Sequence, residues 1–338
     1  METAQLGPLT VSRLALGCML MGDATPADEA HRMLDRFVEA GGTFVDTADT
    51  YGDGTSERVL APWLARRRDE VVLATKVRHE VSDPPGAGLA PDRIRAACEA
   101  SLRRLGTDVI DLYQVHAPDP DVPLEDTLEA LDGLVRAGKV RALGASNFPG
   151  WLLAWAVALQ DRHGWSPFVS LQAQYSLVER SIELDALPFC RAAGLGVLPW
   201  GPLGAGFLTG RIRRDEDLPA GSRMAEAGDE LEEAPARRAI ERNFRVVDAA
   251  EEIAAAHGVP VAAVALAWLI GVEGVAAPIA GARTPAHLED VLAAADLELT
   301  AEERARLEAP APPPELYPQR MLAGQVGLER LTGPLRRG

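Results

Sequence analysis

The sequence predicts an α/β protein, a (β/α)8 TIM barrel with a short N-terminal hairpin and long loops on the face where the strands end. About eight short runs rich in β-forming residues alternate with longer helical patterns, which is the count that a closed barrel requires. The length of 338 residues suits one barrel domain over residues 1–338. Apolar residues make up 47% of the chain and charged residues 25%, an ordinary balance for a globular core.

The predicted elements follow one another in a regular order. Residues 1–12 form a predicted hairpin, because Gly7-Pro8 separates two short apolar pieces, and this hairpin could plug the bottom of the barrel. The predicted helices 28–39 and 124–137 have apolar residues at helical spacing and stop at glycines. The predicted barrel strands are residues 14–16, 43–45, 71–74, 109–115, 140–145, 168–171, 196–198 and 275–279.

Two segments break this alternation. Residues 207–238 are charged and rich in Gly and Pro, and a long loop after a barrel strand is commonly a lid. The alternative for this segment is a solvated acidic insertion around residues 226–233. Residues 310–338 are expected to form a C-terminal tail that is not helical at its start and wraps back over the barrel.

Charge and composition exclude several classes of partner. The formal net charge of −16 opposes binding to nucleic acid or to an anionic membrane, since both attract clustered positive charge. The three cysteines are too scattered for a disulfide framework or a zinc site, so no metal site is predicted. With no signal peptide or membrane-spanning stretch in the sequence, the expected location is the cytoplasm. A small molecule is therefore the expected partner, and the oligomeric state is left open.

Functional side chains follow seven of the predicted strands at the point where each strand ends. Active sites of barrels lie at these C-terminal ends, so the residues define one ring. A single Asp or Lys at a strand end is more often a cap or a solvated loop residue, whereas seven strand ends that all carry such residues predict a site. The ring consists of Asp46, Lys76, His116, Ser146 with Asn147, Gln172, Trp200 and Arg283.

The chemistry of this ring centres on a phenol. Tyr51 follows Asp46 by five positions in a Gly-rich loop, and a free phenol titrates at about pH 10, too high for ready proton exchange at pH 7. The ammonium of Lys76 would lower that pKa, and the Asp46 carboxylate would hold the ammonium charged and oriented. His116 could donate to a carbonyl oxygen; the alternative is a core histidine satisfied by backbone groups. This set suits reduction of a carbonyl group without a metal ion.

The residues around this set resemble a known family. The run 42–52, followed by Ser56-Glu57, closely resembles the first signature of the aldo-keto reductases. Residues 74–76 and 111–116 are similar to the second and third signatures. The resemblance covers nearly the whole chain. It implies a catalytic tetrad of Asp46, Tyr51, Lys76 and His116, which agrees with the strand-end analysis, and reduction of an aldehyde or ketone with NADP(H).

The same resemblance implies a groove for the cofactor. The carboxamide would be held by Ser146, Asn147 and Gln172, and Trp200 would stack on the nicotinamide or else serve barrel packing. The loop 201–208 resembles one that wraps a pyrophosphate with backbone amides, and its glycines permit close approach. The implied contacts at the nicotinamide and pyrophosphate are Gly17, Met19, Asp46, Ser146, Asn147, Gln172, Trp200, Gly201, Pro202, Leu203, Gly206 and Leu208.

A segment near the C-terminus resembles the family's adenosine-phosphate site. It contains Gly281, Arg283, His287 and Asp290. A guanidinium forks well onto a phosphate, so Arg283 implies a preference for NADPH over NADH. The chain departs from the family pattern here, because His287 replaces the usual Gln and Val291 the usual Asn.

Three other functions compete with carbonyl reduction. The family fold also serves as a regulatory subunit of potassium channels, but the four tetrad positions are intact here. The tail motif Leu316-Tyr317-Pro318 resembles members proposed to reduce nucleotide-linked deoxysugars, some at a carbon–carbon double bond, which leaves a sugar-type carbonyl open. Members that reduce enones carry Glu at the position of His116, so the histidine favours C=O reduction. An aldolase or isomerase would not need Tyr51 beside Asp46.

Overall fold

Eight parallel strands form the barrel at the centre of the computed structural model, which describes residues 1–219, 222–226 and 235–323. The strands in chain order are β1 (Thr3–Leu6), β2 (Leu9–Ser12), β3 (Ala15–Gly17), β4 (Phe44–Asp46), β5 (Val72–Val77), β6 (Val81–Ser82), β7 (Pro85–Gly86), β8 (Ile110–Val115), β9 (Val140–Ser146), β10 (Phe168–Gln174), β11 (Gly196–Trp200) and β12 (Ile279–Gly281). The order around the barrel is β11-β10-β9-β8-β5-β4-β3-β12. The (β/α)8 barrel predicted from the sequence is confirmed.

The barrel closes between β11 and the residues that precede β12. Val197 pairs with Val275 in an isolated parallel bridge, with backbone hydrogen bonds on both sides. The prediction of the eighth strand over 275–279 was wrong in its bounds, because regular pairing begins only at Ile279. Pro278 accounts for the difference, since it has no N–H to donate to the ladder.

The helices lie on the outside of the barrel. They are α1 (Ala27–Glu39), α2 (Thr55–Arg67), α3 (Pro91–Leu105), α4 (Leu124–Arg136), α5 (Gly150–His163), α6 (Ala186–Ala193), α7 (Arg223–Glu226), α8 (Pro235–Arg238), α9 (Glu241–His257), α10 (Val261–Ile270), α11 (Pro285–Leu292), α12 (Ala301–Glu308) and α13 (Gln319–Ala323). In α1 the buried residues Ala30, Met33, Leu34 and Phe37 recur at the spacing of one helix face, as the sequence pattern predicts.

The N-terminal hairpin lies at the bottom of the barrel. Its strands β1 and β2 pair antiparallel, and Leu6 and Val11 belong to the same buried cluster as Phe44 and Leu112 from the barrel interior. The turn requires glycine: Gly7 has φ of 57°, and a Cβ there would lie 2.3 Å from the side chain of Val169. The hairpin therefore fills the end of the barrel opposite the predicted site.

The two irregular segments are described in part. In the predicted lid, residues 220–221 and 227–234 lie outside the described residues, and the described part contains a 3₁₀ turn at Phe207–Thr209 and the short helices α7 and α8. In the tail, residues 312–316 have no regular structure, and Gln319 in α13 then donates to the carbonyl of Leu184 at 3.0 Å. Residues 324–338 of the predicted tail lie outside the described residues.

Within the described ranges, no single helix is both long and apolar enough to cross a bilayer; α9 and α10 pass such a test only together, as a pair bent by 98°.

Candidate active site

The C-terminal ends of the barrel strands bring the predicted site residues together. Asp46 ends β4, Ser146 ends β9 and Trp200 ends β11, while His116 follows β8 directly. A cavity of about 260 Å³ opens between them. Its lining includes the predicted residues Gly17, Met19, Asp46, Tyr51, His116, Ser146, Asn147, Gln172, Trp200, Gly201 and Gly281.

Lys76 lies beneath this cavity and is fully buried. Its Nζ donates to Oδ1 of Asp46 at 2.6 Å, to the carbonyl of Thr47 at 2.8 Å and to Oη of Tyr51 at 3.2 Å. These three acceptors use all three protons of an ammonium group. Burial opposes the charge, but Asp46 and the Tyr51 oxygen outweigh it and raise the pKa of Lys76 above its ordinary value. The lysine is therefore charged, and it links the carboxylate to the phenol.

The second carboxylate oxygen of Asp46 also has partners. Its Oδ2 accepts from Nε2 of Gln114 at 3.1 Å and from Nε2 of Gln172 at 3.0 Å. With Lys76 on the other oxygen, the buried carboxylate is held by three donors. A carboxylate satisfied in this way has a fixed orientation, so it also fixes the ammonium that it contacts.

The loop that carries Tyr51 is tied to the neighbouring strand by a buried carboxylate. Glu57 in α2 is fully buried and accepts from Oγ1 of Thr75 at 2.7 Å and from Nε of Arg104 at 2.7 Å. Thr75 directly precedes the buried lysine on β5. The loop reaches α2 through Gly54, which has φ of 79° and lies against the Arg104 side chain. These contacts set the distance between the phenol and the ammonium.

His116 lies beside Tyr51 at the cavity wall. Their rings meet edge to face with centroids 5.8 Å apart. The backbone N–H of His116 donates to the carbonyl of Val77 at 2.9 Å, which fixes the start of the loop after β8. Burial, together with the charge of Lys76 and the contact with His79, lowers the pKa of His116 to about 2. The imidazole is therefore neutral at physiological pH.

The predicted carboxamide-binding residues are joined to one another at the ends of β9 and β10. Nδ2 of Asn147 donates to the carbonyl of His116 at 2.9 Å and to Oγ of Ser146 at 3.1 Å. Nε1 of Trp200 donates to Oδ1 of Asn147 at 2.9 Å. Asn147 adopts a left-handed backbone conformation with φ of 58°, which is uncommon outside glycine and occurs often at functional sites. The indole is thereby fixed at the edge of the cavity.

A second cavity of about 430 Å³ continues from the first, because both are lined by Leu20, Gly201, Ile279 and Gly281. Its lining includes the predicted residues Gly201, Pro202, Leu203, Gly206, Gly281, Arg283, His287 and Asp290. Leu208 was also predicted here, but its side chain is fully buried and lines neither cavity. The two cavities form one groove that runs from the buried lysine to the start of α11.

A guanidinium that the sequence analysis did not select crosses this groove. Arg211, in the segment 207–219, contacts Nε2 of His287 and lies 3.4 Å from the Asp290 carboxylate. Partial burial, Arg211 and Arg283 lower the pKa of His287 although Asp290 opposes them. The lowered pKa disfavours a positive charge on His287.

The model of the aldo/keto reductase family matches residues 13–311. The chain belongs to the aldo/keto reductase family. It is 38% identical over 316 residues to the oxidoreductase YrpG of Bacillus subtilis, covering 89% of this chain and 93% of that protein. It is 31% identical over 313 residues to an aryl-alcohol dehydrogenase of Pestalotiopsis microspora, covering 88% and 78%. It is 34% identical over 327 residues to the norsolorinic acid reductase of Emericella nidulans, covering 91% and 80%.

Membership in the aldo/keto reductase family makes carbonyl reduction with an NAD(P)H-class cofactor the activity expected of this oxidoreductase. Three residues at the site of this aldo-keto reductase were not selected from the sequence. Gln114 could have been found, because it lies two positions before His116 and so faces the same side of β8. His79 could also have been found, because it lies two residues after the end of β5. Arg211 could not, because it lies in a segment without periodicity and no sequence signal indicated its contacts.

Proposed function

We propose that this aldo-keto reductase reduces an aldehyde or ketone to the alcohol with NADP(H), using Tyr51 as the general acid. The observation that carries the proposal is the buried ammonium of Lys76, which contacts Asp46 on one side and the phenol oxygen on the other, at the floor of a cavity. An ammonium 3.2 Å from a phenol oxygen favours the phenolate that remains when the proton leaves. This is the arrangement that a proton donor to a developing alkoxide requires.

Each residue of the tetrad has a distinct task in this proposal. Tyr51 holds the proton at Oη and gives it to the carbonyl oxygen of the substrate. Lys76 stabilises the phenolate, and Asp46 keeps Lys76 charged and in place. His116 donates its ring N–H to the same carbonyl oxygen and so fixes the substrate, which a neutral imidazole can do. In the reverse direction the phenolate accepts the alcohol proton.

The groove supports a nicotinamide dinucleotide as the cofactor, which supplies or accepts the hydride when bound. At one end Ser146, Asn147 and Gln172 offer amide and hydroxyl groups that suit a carboxamide, and Trp200 offers a flat indole face. In the middle, Gly201, Pro202, Leu203 and Gly206 line the groove, and Gly201 and Gly206 take left-handed conformations that expose the backbone to a pyrophosphate. Gly17 and Met19 line the wall next to β3.

The other end of the groove supports a phosphate. Arg283 precedes α11 and lines the cavity with Arg211, in a protein whose formal net charge is −16. Two guanidinium groups in one cavity of an acidic protein indicate an anionic ligand group, and the 2′-phosphate of NADPH is the expected one. Asp290 is engaged by Arg211, and His287 joins that contact.

The predicted lid belongs to the same proposal. Arg211, Ile212, Pro219 and Ser222 line the larger cavity, so we infer that the described residues 207–219 and 222 of the predicted lid cover the bound cofactor. For the substrate, the name of the aryl-alcohol dehydrogenase among the relatives directs attention to aryl carbonyl compounds, and the sugar-type carbonyl remains the alternative. A panel of aryl aldehydes, aliphatic ketones and reducing sugars would separate these classes.

The experiment that tests the proposal is a comparison of Tyr51→Phe with the parent enzyme. We expect kcat for aldehyde reduction to fall by roughly 10²–10⁴-fold, the usual contribution of a positioned acid, while the Kd of NADPH changes by less than about twofold. Turnover is followed by the absorbance of the reduced nicotinamide, and cofactor binding by fluorescence titration.

A matched control is Tyr113→Phe. Tyr113 is fully buried on β8, and its hydroxyl makes no hydrogen bond within the described part of the chain, so the variant is expected to keep kcat. Near-parent turnover of Tyr51→Phe would remove the phenol from the mechanism, and loss of turnover in both variants would assign the effect to packing.

A further inference from the structure

Within residues 1–219, 222–226 and 235–323, one ring nitrogen of His116 has no hydrogen-bond partner. Nδ1 is buried and makes no hydrogen bond within the described part of the chain, whereas the ring lines the smaller cavity. A neutral imidazole carries its proton on one nitrogen and accepts on the other. If Nε2 is to donate to a substrate, Nδ1 must be the acceptor, and a buried acceptor without a donor is costly.

A second imidazole lies against this one. The rings of His79 and His116 meet edge to face, with centroids 4.6 Å apart and planes inclined by 70°. His79 is half-buried in the segment after β5, three residues beyond Lys76. His116 therefore contacts the rings of both Tyr51 and His79.

The backbone that presents His79 is strained. Arg78 has φ of 152°, a region that side-chain-bearing residues rarely adopt, and its carbonyl accepts from the N–H of Gly88 at 2.7 Å. Strain of this kind persists where the surrounding structure requires the conformation, and it clusters at functional sites. The turn directs the chain so that the next side chain packs on the His116 ring.

We propose that His79 is a positioning residue for His116: its half-buried ring, whose centroid lies 4.6 Å from that of His116, turns so that its N–H donates to Nδ1 of His116 and holds His116 in the tautomer with the proton on Nε2. The inference rests on the proposed function, because it is the donor role of His116 that requires this tautomer. His79 touches neither the substrate nor the cofactor in this role; it acts through His116.

The charges around the pair agree with a donor and an acceptor that are both neutral. The groups facing His116 are Tyr51 and Lys76, and those facing His79 are Arg78 and His116 itself. Burial and the charge of Arg78 lower the pKa of His79, and burial and Lys76 lower that of His116. Neutral rings can form an N–H to N hydrogen bond, and protonation of both is opposed by the two neighbouring cations.

The test reads the tautomer directly by ¹⁵N NMR of the imidazole nitrogens in the full-length protein, with the His116 signals assigned by their loss in His116→Gln. In the parent enzyme we expect a proton on Nε2 and a bare Nδ1. His79→Phe keeps an aromatic edge but removes the N–H, so the two tautomers are expected to mix, and kcat/KM is expected to fall about fivefold to tenfold with an unchanged Kd for NADPH.

Two comparisons complete the test. His79→Asn retains an N–H donor and is expected to recover the tautomer and most of kcat/KM. His163→Phe, at the exposed end of α5, is the control that should change neither. A His116 signal that is the same in the parent and in His79→Phe, or a proton on Nδ1 in the parent, would overturn the inference. A shifted tautomer with unchanged kcat/KM would instead uphold it and refute the donor role of His116 in the proposed function.

Discussion

Replacement of Lys76 by Met separates the stabilising role of the buried ion pair from its chemical role. The side chains of Lys76 and Asp46 are exposed by only 0% and 3%, and their charged atoms lie 2.6 Å apart. Removing one partner of a buried pair costs about 3–5 kcal/mol, because the remaining charge has no counter-charge. Gln114 and Gln172 still donate to the carboxylate, so we expect a loss near the lower end, about 3 kcal/mol in the free energy of unfolding.

The double variant Lys76→Met, Asp46→Asn removes both charges. An asparagine retains the shape of the aspartate and can accept from the same amides, so we expect stability to return to within about 1 kcal/mol of the parent. Turnover should stay low, because Tyr51 has lost its ammonium. Asp46→Asn alone should also destabilise the fold, since the buried ammonium then lacks its carboxylate. The sum of the two single losses in the free energy of unfolding is therefore expected to exceed the loss in the double variant by several kcal/mol.

The parent, the two single variants and the double variant are unfolded with urea at one pH and without cofactor, and unfolding is followed by tryptophan fluorescence. Their free energies of unfolding are compared provided that their m-values are equal. The matched control is Lys139→Met, which removes the ammonium of a half-exposed pair with Glu99 and should cost less than about 1 kcal/mol. Additive single losses, with a coupling energy below about 0.5 kcal/mol, would refute the reasoning, because they would mean that the pair is not one energetic unit.

Two further predictions concern pH and the cofactor. Burial and Lys76 lower the pKa of His116 to about 2, so this ring stays neutral between about pH 5 and 9. The plots of kcat against pH for the parent and for His116→Gln should therefore have the same inflections. An inflection near the ordinary histidine pKa that is present in the parent and lost in the variant would contradict this. Arg283→Ala should weaken NADPH binding about tenfold to a hundredfold and leave NADH binding nearly unchanged, with Arg32→Ala on the exposed face of α1 as control. Equal losses for both cofactors in a fluorescence titration would mean that Arg283 shapes the loop and does not recognise the phosphate.

The part of the site that the sequence predicts best depends only on where each strand ends. Asp46, Lys76 and His116 each stand at the end of an apolar run, and the closed parallel sheet brings all such ends to one face. No pairing partner has to be known for this inference. The bounds of the eighth strand were predicted wrongly, because Pro278 interrupts the ladder inside an apolar run that otherwise has the composition of a strand.

Contacts between distant segments could not be predicted in this way. Glu57 and Arg104 are separated by 47 residues, and both charged side chains would ordinarily be assigned to solvated helix faces. Arg211 meets Asp290 across the groove from a segment without periodicity. Which charges pair depends on how helices pack around the barrel, and a single sequence contains the residue types but not that packing.

The position of the Tyr51 oxygen depends both on Lys76 at the end of β5 and on the contact between Glu57 and Thr75. The ammonium of Lys76 has three protons and three acceptors, so the phenol oxygen already has its donor before any ligand is present. When a proton leaves the phenol, its oxygen becomes the stronger acceptor of the three, and the existing bond would strengthen without a side chain changing position. Glu57 and Thr75 keep the two segments at that distance. Stabilisation of developing charge by groups that need not reorganise is the most effective form that a protein can offer. It follows that substitutions of Glu57 or Thr75 should raise the barrier to proton transfer, even though neither residue lines the cavity.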